Sequence, residues 1–168
     1  MTLKEINKGL YHNHLRVVFV GIALALMVIS IATSTLLIYL FSNPEVTHFL
    51  HNLAGVAVAA IIVFIMLNKL RQHPYMLEVV YVWDLKQQLN RINRKLRKIE
   101  AAVENNDSDA MVIMNFMYRG SKQLYELDDN TITMGSLIKQ IDILDQRMQD
   151  LGLSLSTSAY DSVMLDQF

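Results

Sequence analysis

The chain has 168 residues, of which 52% are hydrophobic and 18% charged, and its formal net charge is −1. Soluble domains carry about 25% charged residues, and the mean hydropathy of this chain is +0.26. With no cysteine, two prolines and six glycines, the composition excludes a disulfide scaffold, a collagen-like chain and a disordered chain. We therefore expect part of the chain to lie in lipid.

Two uncharged stretches predict a transmembrane helical hairpin within residues 1–72. The first, residues 17–41, exceeds the length of about 20 apolar residues that crosses a hydrocarbon core of about 30 Å. It is also too long for a signal-peptide core, so we expect an uncleaved anchor. The second span covers residues 46–68. The connection Ser42–Glu45 is so short that the spans must be antiparallel neighbours, and its Pro44 suits a turn or the first helical position.

Basic residues flank the hairpin on one side of the membrane. Lys4, Lys8 and Arg16 precede the first span, Lys69 and Arg71 follow the second, and the connection between the spans carries no basic residue. Cytoplasmic flanks of membrane proteins are enriched in Lys and Arg. The sequence therefore predicts a two-pass protein with both termini in the cytoplasm.

Small residues suggest how the two spans pack. Gly21 and Ala25 lie one turn apart on the first span, and Gly55 and Ala59 lie one turn apart on the second. Such pairs let helix backbones approach closely in lipid, although glycine and alanine are also simply common in membrane helices. Neither span contains Asp, Glu, Lys or Arg, which argues against a self-contained pump or transporter.

The rest of the chain predicts an antiparallel, coiled-coil-like cytoplasmic domain over residues 74–152, with helices at 75–104, 108–127 and 134–151. The first of these helices carries an apolar seam with spacings of 3 and 4 residues, which is typical of coiled coils. The seam consists of Val82, Leu85, Leu89, Ile92, Leu96 and Ile99. We expect this seam to support interaction with other helices, including self-association.

Polar residues mark the predicted helix ends. Asp107 or Ser108 caps the second helix of the domain and Thr133 caps the third, because their side-chain oxygens accept free N–H groups of a first turn. Gly152 follows as a stop signal. Residues 153–168 have no helical period, so we expect a tail that becomes ordered only on docking.

Charge is divided between the two halves of this domain. Residues 69–98 hold eight basic and two acidic residues, whereas residues 100–168 hold four basic and twelve acidic ones. The basic side chains beside the seam are Lys86, Arg91, Arg94, Lys95, Arg97 and Lys98. They suit anionic lipid headgroups or pairing with later acids such as Glu126, Asp142 and Asp145. Nucleic acid is not expected, because no recognition motif is present.

Five histidines are the remaining candidates for chemistry. His12, His14 and His73 lie near the cytoplasmic ends of the spans, and His48 and His51 lie near the outer interface. Facing imidazoles hold haem or metal in other proteins. Here no cysteine or carboxylate cluster accompanies them, so we expect interfacial polar residues and assign no metal or cofactor.

No enzymatic motif is present. The chain lacks a glycine-rich phosphate loop, a Gly-x-Ser-x-Gly elbow and an HExxH helix. We therefore expect no catalytic residue and no small-molecule substrate.

Two features of the helix at 108–127 concern packing. Gly120 lies inside the helix at a cost of about 1 kcal/mol, so we expect a close contact there, with Trp83 or Tyr81. Met111 and Met114 form a second apolar face. This face predicts either a central position in the bundle or contact with another chain.

Three stretches of the chain resemble a known family. They are HPYMLEVVYVWDLKQQLNRINRKLRKI, NFMYRGSKQLYELDDNTIT and LGLSLSTSAYD. They resemble a proteobacterial inner-membrane family named domain of unknown function 3087, and the resemblance extends over essentially the whole chain. It implies a bacterial inner-membrane protein with two spans and a helical cytoplasmic domain. It implies no activity and no functional residue.

The sequence thus predicts a non-enzymatic, membrane-anchored interaction or scaffold protein that acts through its cytoplasmic helical domain. Its expected partners are membrane lipid and a second copy or another membrane protein. An alternative is an accessory subunit of a larger inner-membrane transporter, respiratory or motility complex. A haem- or metal-binding membrane protein is a third hypothesis, which depends on the histidines alone.

Overall fold

The computed structural model describes residues 1–41 and 48–168. Within these ranges the chain forms α-helices and short 3₁₀ helices, and no strand. The α-helices are α1 (Lys8–Phe41), α2 (Phe49–Leu70), α3 (Leu77–Asn93), α4 (Leu96–Glu104), α5 (Ser108–Leu127) and α6 (Met134–Asp150). The 3₁₀ helices are Pro74–Met76, Thr157–Ala159 and Ser162–Gln167. The all-α prediction, with two long apolar helices before a helical domain, is confirmed. The predicted connection Ser42–Glu45 lies outside the described residues.

The described residues divide into two compact units. The hairpin unit is Asn7–Val80, and the helical unit combines Met1–Ile6 with Tyr81–Phe168. Each unit is built around its own helix contacts and is described by itself.

The hairpin unit is built on α1 and α2. Both helices are long and apolar enough to cross a membrane by length and composition. Helix α1 begins at Lys8, nine residues before the predicted span, and α2 ends at Leu70 with Lys69 in its last turn. After α2 the chain turns at His73, whose Nδ1 accepts a hydrogen bond from the Tyr75 N–H at 3.2 Å.

The first six residues do not belong to the hairpin, in contrast to the predicted domain of residues 1–72. Leu3 packs against the core of the helical unit. The Lys4 N–H donates to the Tyr81 hydroxyl at 2.9 Å, and Gln123 donates to the Lys4 carbonyl. The Tyr81 hydroxyl donates in turn to Gln123 Oε1 at 2.9 Å. These contacts join distant parts of the chain, which no local sequence pattern reveals.

Helix α5 is the central helix of the helical unit. Its N-cap is Asp107, whose Oδ1 accepts from the Ala110 N–H at 2.7 Å. The buried residues of α5 are Ala110, Met111, Ile113, Met114, Asn115, Phe116, Gly120 and Leu127. Met111 and Met114 therefore pack inside the bundle, which is the first of the two predicted explanations for their apolar face.

The prediction of one continuous helix over residues 75–104 is wrong. The chain breaks at Arg94 and Lys95, between α3 and α4. Ile92 and Ile99, on either side of the break, are both fully buried, so the bend keeps both in one core. Like charges three or four residues apart, as for Arg94 and Lys98, also destabilise a continuous helix here.

The ends of the later helices agree only partly with the expected signals. Asn106 and Gly152 adopt φ values of 62° and 68° after α4 and α6, the left-handed conformation that ends many helices. Thr133 precedes α6 but its side chain makes no capping hydrogen bond. Instead the Ser136 hydroxyl donates to the Thr133 carbonyl at 2.8 Å.

The predicted tail, residues 153–168, docks on the helical unit of its own chain. Tyr160 and Leu165 are 3% and 2% exposed, and both belong to the core that α5 centres. The Asn115 side chain donates to the Leu155 carbonyl at 3.0 Å. The tail thus closes the core instead of awaiting a partner.

Gly120 is a close-contact position, but its neighbours are not the expected ones. A Cβ placed there would lie 3.1 Å from Leu89 Cδ2 and 3.2 Å from Leu85 Cδ1. The predicted contacts with Trp83 and Tyr81 are therefore wrong. The side chains of Leu85 and Leu89 of α3 therefore pack directly against Gly120 of α5.

Candidate functional site: a basic cleft at the break between helices α3 and α4

The break between α3 and α4 is defined by its backbone hydrogen bonds. The Lys95 N–H bonds to the Ile92 carbonyl at 2.9 Å, and the Lys98 N–H bonds to the Lys95 carbonyl at 3.0 Å. Both span three residues, which is tighter than an α-helix. Lys95 is the N-cap residue of α4 and makes no side-chain capping hydrogen bond. The start of α4 therefore has no side-chain acceptor from its own cap residue.

A cleft of about 370 Å³ lies at this break. It is lined by residues 93–98 together with Phe168. Four of these side chains are cationic, namely Arg94, Lys95, Arg97 and Lys98, and none is acidic. The cleft therefore has a positive electrostatic potential.

The two lysines of the cleft hold the tail. Lys95 Nζ donates to the Leu165 carbonyl at 2.6 Å, and Lys98 Nζ donates to the backbone oxygen of Phe168. An ammonium group has three N–H donors. Each lysine therefore keeps donors beyond the one given to the tail.

The arginines of the basic set are exposed. Arg91, Arg94 and Arg97 lie on the surface of the helical unit. The guanidinium groups of Arg94 and Arg97 make no hydrogen bond or ion pair with any described residue. Arg91 lies close enough to the Tyr160 hydroxyl to act on it electrostatically. Among the predicted basic residues, Lys95 and Lys98 are thus hydrogen-bonded to the tail, whereas the three arginines are exposed.

Lys86 is the one member of the basic set, among the described residues, that forms an ion pair with an acidic side chain. Its Nζ lies 3.2 Å from Asp128 Oδ2. Two of the three expected acidic partners, Asp145 and Glu126, pair with other residues. Asp145 binds Arg119 at 2.8 Å, and Glu126 lies 3.8 Å from Lys122 on its own helix. The basic set is therefore not neutralised by the later helices in the way the sequence suggested.

The predicted interaction seam forms the core of the helical unit. Val82, Leu85, Ile92 and Ile99 are at most 2% exposed, and Leu89 is 9% exposed. Leu96 packs against the same core. Leu85, Leu89, Ile92, Leu96 and Ile99 share this core with residues of α5 and of the tail of their own chain. Val82 is buried as well, so the seam is not a free surface for a second chain.

The small residues of the hairpin do not act as one set. Gly55 and Ala59 are buried on α2. A Cβ at Gly55 would lie 2.9 Å from the Ser34 backbone N and 3.0 Å from the Ser30 carbonyl oxygen. Gly21, by contrast, has nothing within 4 Å of such a Cβ. The close approach is therefore between Gly55 and the serines of α1, which the sequence did not single out.

Gly21 and Ala25 instead border an apolar cleft of about 200 Å³ in the hairpin unit. The other residues that line it are Val18, Ile22, Val63, Met66, Leu67, Leu70 and Met76. The two helices are thus tightly packed at Gly55 and leave a gap beside Gly21.

His14, near the base of the hairpin, lies in a small polar cluster whose other members sequence reasoning missed. Its Nδ1 lies 3.1 Å from Glu78 Oε2, and the Tyr75 ring packs against the imidazole at an angle of 35°, with centroids 3.8 Å apart. His14 is 9% exposed. His12 lies instead beside Tyr11, with ring centroids 5.3 Å apart. The partners of His14 are more than 60 residues away in the chain, so no local signal identifies them.

The second histidine pair lies at the start of α2. The rings of His48 and His51 meet edge to face with centroids 6.3 Å apart, and His51 Nδ1 has no hydrogen-bond partner among the described residues. Within the same residues, no group of three or more histidine, aspartate or glutamate side chains is arranged to hold a metal ion.

Burial affects one tyrosine that touches the tail and the basic helix. Burial raises the pKa of Tyr160, while the hydrogen bond from Gln88 and the charge of Arg91 lower it and Asp161 raises it further. The same cause, burial, raises the pKa of Tyr81. Both hydroxyls are hydrogen-bonded at the edge of the core.

Comparison with known proteins gives one match. The family described as Protein of unknown function (DUF3087) matches residues 1–165 of the chain. Neither a curated protein nor a solved structure matches the chain. The match therefore covers both units and the tail, and its description names no activity.

Proposed function

Because this chain belongs to DUF3087, a family of proteins of unknown function, we propose its role from its own residues. It is a non-enzymatic, membrane-anchored interaction protein. The hairpin unit holds it in the bacterial inner membrane with both termini in the cytoplasm, and the helical unit binds a partner protein. The observation that carries the proposal is the unburied apolar surface of the hairpin unit.

Large apolar side chains of α1 and α2 face outward along both helices. Phe19 and Ile31 of α1 are 67% and 62% exposed, and Ile61 and Phe64 of α2 are 60% and 65% exposed. Soluble proteins rarely expose apolar surface of this extent. Lipid, or other membrane helices, must cover it.

The anchor and its orientation are tested by single-cysteine labelling, since the native chain has no cysteine. Ser42→Cys places a thiol between the spans and Ser154→Cys places one in the exposed part of the tail. In spheroplasts, a membrane-impermeant maleimide should label the first variant directly and the second only after lysis. The reverse labelling contradicts the orientation, and release of the protein by alkaline carbonate contradicts the anchor.

The proposed partner surface is a groove on the outer side of α6. Because the seam is internal, any partner must use a different face. Ile143 is 71% exposed at a groove of about 140 Å³. The groove is lined by Val103, Met114, Tyr118, Gln140, Ile143, Leu144 and Arg147. Exposed isoleucine beside a groove favours contact with an apolar side chain of a partner.

Site-specific photo-cross-linking tests this surface. A photo-reactive amino acid at Gln140, which lines the groove, should yield a defined cross-linked protein in membranes of the native host. The matched position is Gln146, which is also exposed on α6 but lies on another face of the helix. Equal products from both positions, or none from Gln140, contradict partner binding through the groove.

A second candidate role, as an accessory subunit of a larger membrane complex, is favoured by the apolar cleft beside Gly21. The cleft of about 200 Å³ is apolar and is bordered by the small residues Gly21 and Ala25, which suit the close approach of a third membrane helix. A photo-reactive residue at Ile22, which lines the cleft, should then cross-link to another membrane protein. Cross-links from Ile22 with none from Gln140 favour this role, and the opposite result favours the first.

A further inference from the structure

We propose that the basic cleft between α3 and α4 is a binding site for a phosphate group, and that its first source is the headgroup of an anionic lipid. The lipid assignment rests on the membrane anchoring proposed above. The phosphate site itself does not depend on that anchoring. It follows from the donors of the cleft and from what each donor already binds.

The free donors of the cleft converge on one concave space. Arg94 and Arg97 line the cleft, and neither guanidinium group has a hydrogen bond or ion pair within the described part of the chain. Arginine presents several N–H donors in a fixed planar fork, which matches phosphate oxygens. Two such groups three residues apart therefore offer paired donors to one tetrahedral anion.

Lys95 and Lys98 can bind an anion while they stay hydrogen-bonded to the tail. Lys95 and Lys98 each donate to one backbone oxygen of the tail. Since an ammonium has three donors, each can also bind an oxyanion. A phosphate in the cleft is thus compatible with the docked tail, and the tail holds both ammonium groups at the cleft.

The backbone of the break contributes in the same direction. The nine-residue helix α4 begins inside the cleft at Leu96, and Lys95 leaves its first turn without a side-chain cap. The N–H groups of a first turn point along the helix axis and favour anions. The cation cluster and the uncapped first turn therefore act on the same volume.

Phosphate fits this cleft better than a protein carboxylate does, because of its shape. Four cations line the cleft, and no acidic side chain does. A carboxylate is planar and is satisfied by one arginine fork. A lipid phosphodiester also carries a single negative charge, but its tetrahedral arrangement of free and ester oxygens presents acceptors in more directions, so several cations of the cleft can bind it at once.

Trp83 indicates that the phosphate belongs to a lipid. It is 62% exposed on α3, and α3 ends at Asn93, which itself lines the cleft. Tryptophan is enriched at the interface between membrane and water. In the sequence, the second span ends at Leu70, 13 residues before Trp83, and basic segments that closely follow a span are attracted to anionic headgroups.

The experiment uses the full chain in neutral detergent micelles. Probes are inorganic phosphate, phosphatidylglycerol added to the micelles, and phosphatidylcholine as the zwitterionic control. Because Trp83 is the single tryptophan, its quenching by brominated lipid is compared between the native chain and the cleft variant, and the difference reports binding at the cleft. A peptide of glutamates tests recognition of carboxylates.

The variant R94Q/R97Q removes the two uncommitted arginines. The control K86Q/K122Q removes two cations that form ion pairs elsewhere on the helical unit, so the net charge change is equal. We expect phosphatidylglycerol binding to weaken by about thirtyfold in R94Q/R97Q and by less than about threefold in the control. Circular dichroism checks that both variants remain helical.

The outcomes distinguish a lipid phosphate from a soluble phosphate, and a failure of the phosphate site from a failure of the membrane anchor. Binding of phosphatidylglycerol alone assigns the phosphate to a headgroup, whereas competition by millimolar inorganic phosphate assigns it to a soluble ligand. Equal weakening in both variants, tighter binding of the glutamate peptide, or no binding of either phosphate probe overturns the site. Failure of membrane anchoring would appear as carbonate release in the labelling assay, and the phosphate titration would remain valid.

Discussion

The aromatic rings of Phe116 and Tyr160 stack with their centroids 4.1 Å apart and an angle of 19° between their planes. Phe116 is fully buried in α5, and Tyr160 lies in the tail 44 residues later. This contact makes residues 153–168 part of the core of the helical unit.

Replacing Tyr160 by alanine should destabilise the helical unit by about 3 kcal/mol, because a buried aromatic ring is lost and a cavity remains. The measurement is urea unfolding followed by Trp83 fluorescence, with limited proteolysis of the tail. Tyr160→Phe keeps the stack and loses only the hydrogen bond from Gln88, so it should cost about 1 kcal/mol. Equal stabilities of the alanine variant and the native protein would show that the tail does not support the core.

The stability of the helical unit should fall as pH rises above about 10. Burial raises the pKa of Tyr160 above its ordinary value of 10.0, so the folded state retains a proton that the unfolded state releases. The stabilisation is complete below pH 10 and is lost as pH rises through the raised pKa. Unfolding measured between pH 8 and 11 should be less pH-dependent in Tyr160→Phe. Parallel profiles for both proteins would contradict this assignment.

Gly55 and Gly21 should respond differently to the same substitution. Gly55→Val should separate α1 from α2, because its Cβ would meet backbone atoms of Ser34 and Ser30. Gly21→Val adds the same side chain where nothing lies within 4 Å. We expect a lower melting temperature in detergent, followed by circular dichroism at 222 nm, only for Gly55→Val. If both variants melt like the native protein, the helices do not make this contact.

Two ion pairs of the helical unit, Arg119–Asp145 and Lys86–Asp128, should differ in strength. Arg119 binds both oxygens of Asp145 at 2.8 and 2.9 Å and also donates to Asn115. Asp145→Ala should cost about 2 kcal/mol, since Arg119 is only 31% exposed and loses a charge-assisted partner. The matched variant Asp128→Ala removes the partner of Lys86, which is 42% exposed, and should cost less than about 1 kcal/mol. Urea unfolding gives the free energy of unfolding of the two variants. Equal losses of stability would contradict the predicted difference between the ion pairs.

The basic cleft could be anticipated only in part. The run of cations from Arg94 to Lys98 is visible in the sequence, and it predicted an anion-binding surface. The cleft itself requires the break at Lys95, which no glycine or proline announces. The apolar spacing of Ile92, Leu96 and Ile99 continues through the break, so a continuous helix was the natural prediction.

The apolar seam of α3 and α4 could likewise be anticipated only in part. Its heptad spacing identified the buried face of α3 and α4, because side chains three and four residues apart share one side of a helix. Spacing does not name the surface that covers this face. Leu85 and Leu89 contact Gly120 of α5, and the covering element beyond α5 is the tail, whose own sequence has no period.

The sequence by itself determined the all-α class, the two apolar helices, the charge division and the polar residues at several helix ends. These depend on composition and on neighbours within a turn or two, where local propensity and burial act together. Only the tertiary structure decided the partners of Tyr160, His14, Lys4 and Lys95, the break in the long helix and the burial of the seam. Contacts such as Phe116–Tyr160 and Lys4–Gln123 join residues 44 and 119 positions apart, and they depend on how whole surfaces fit, which local patterns do not encode.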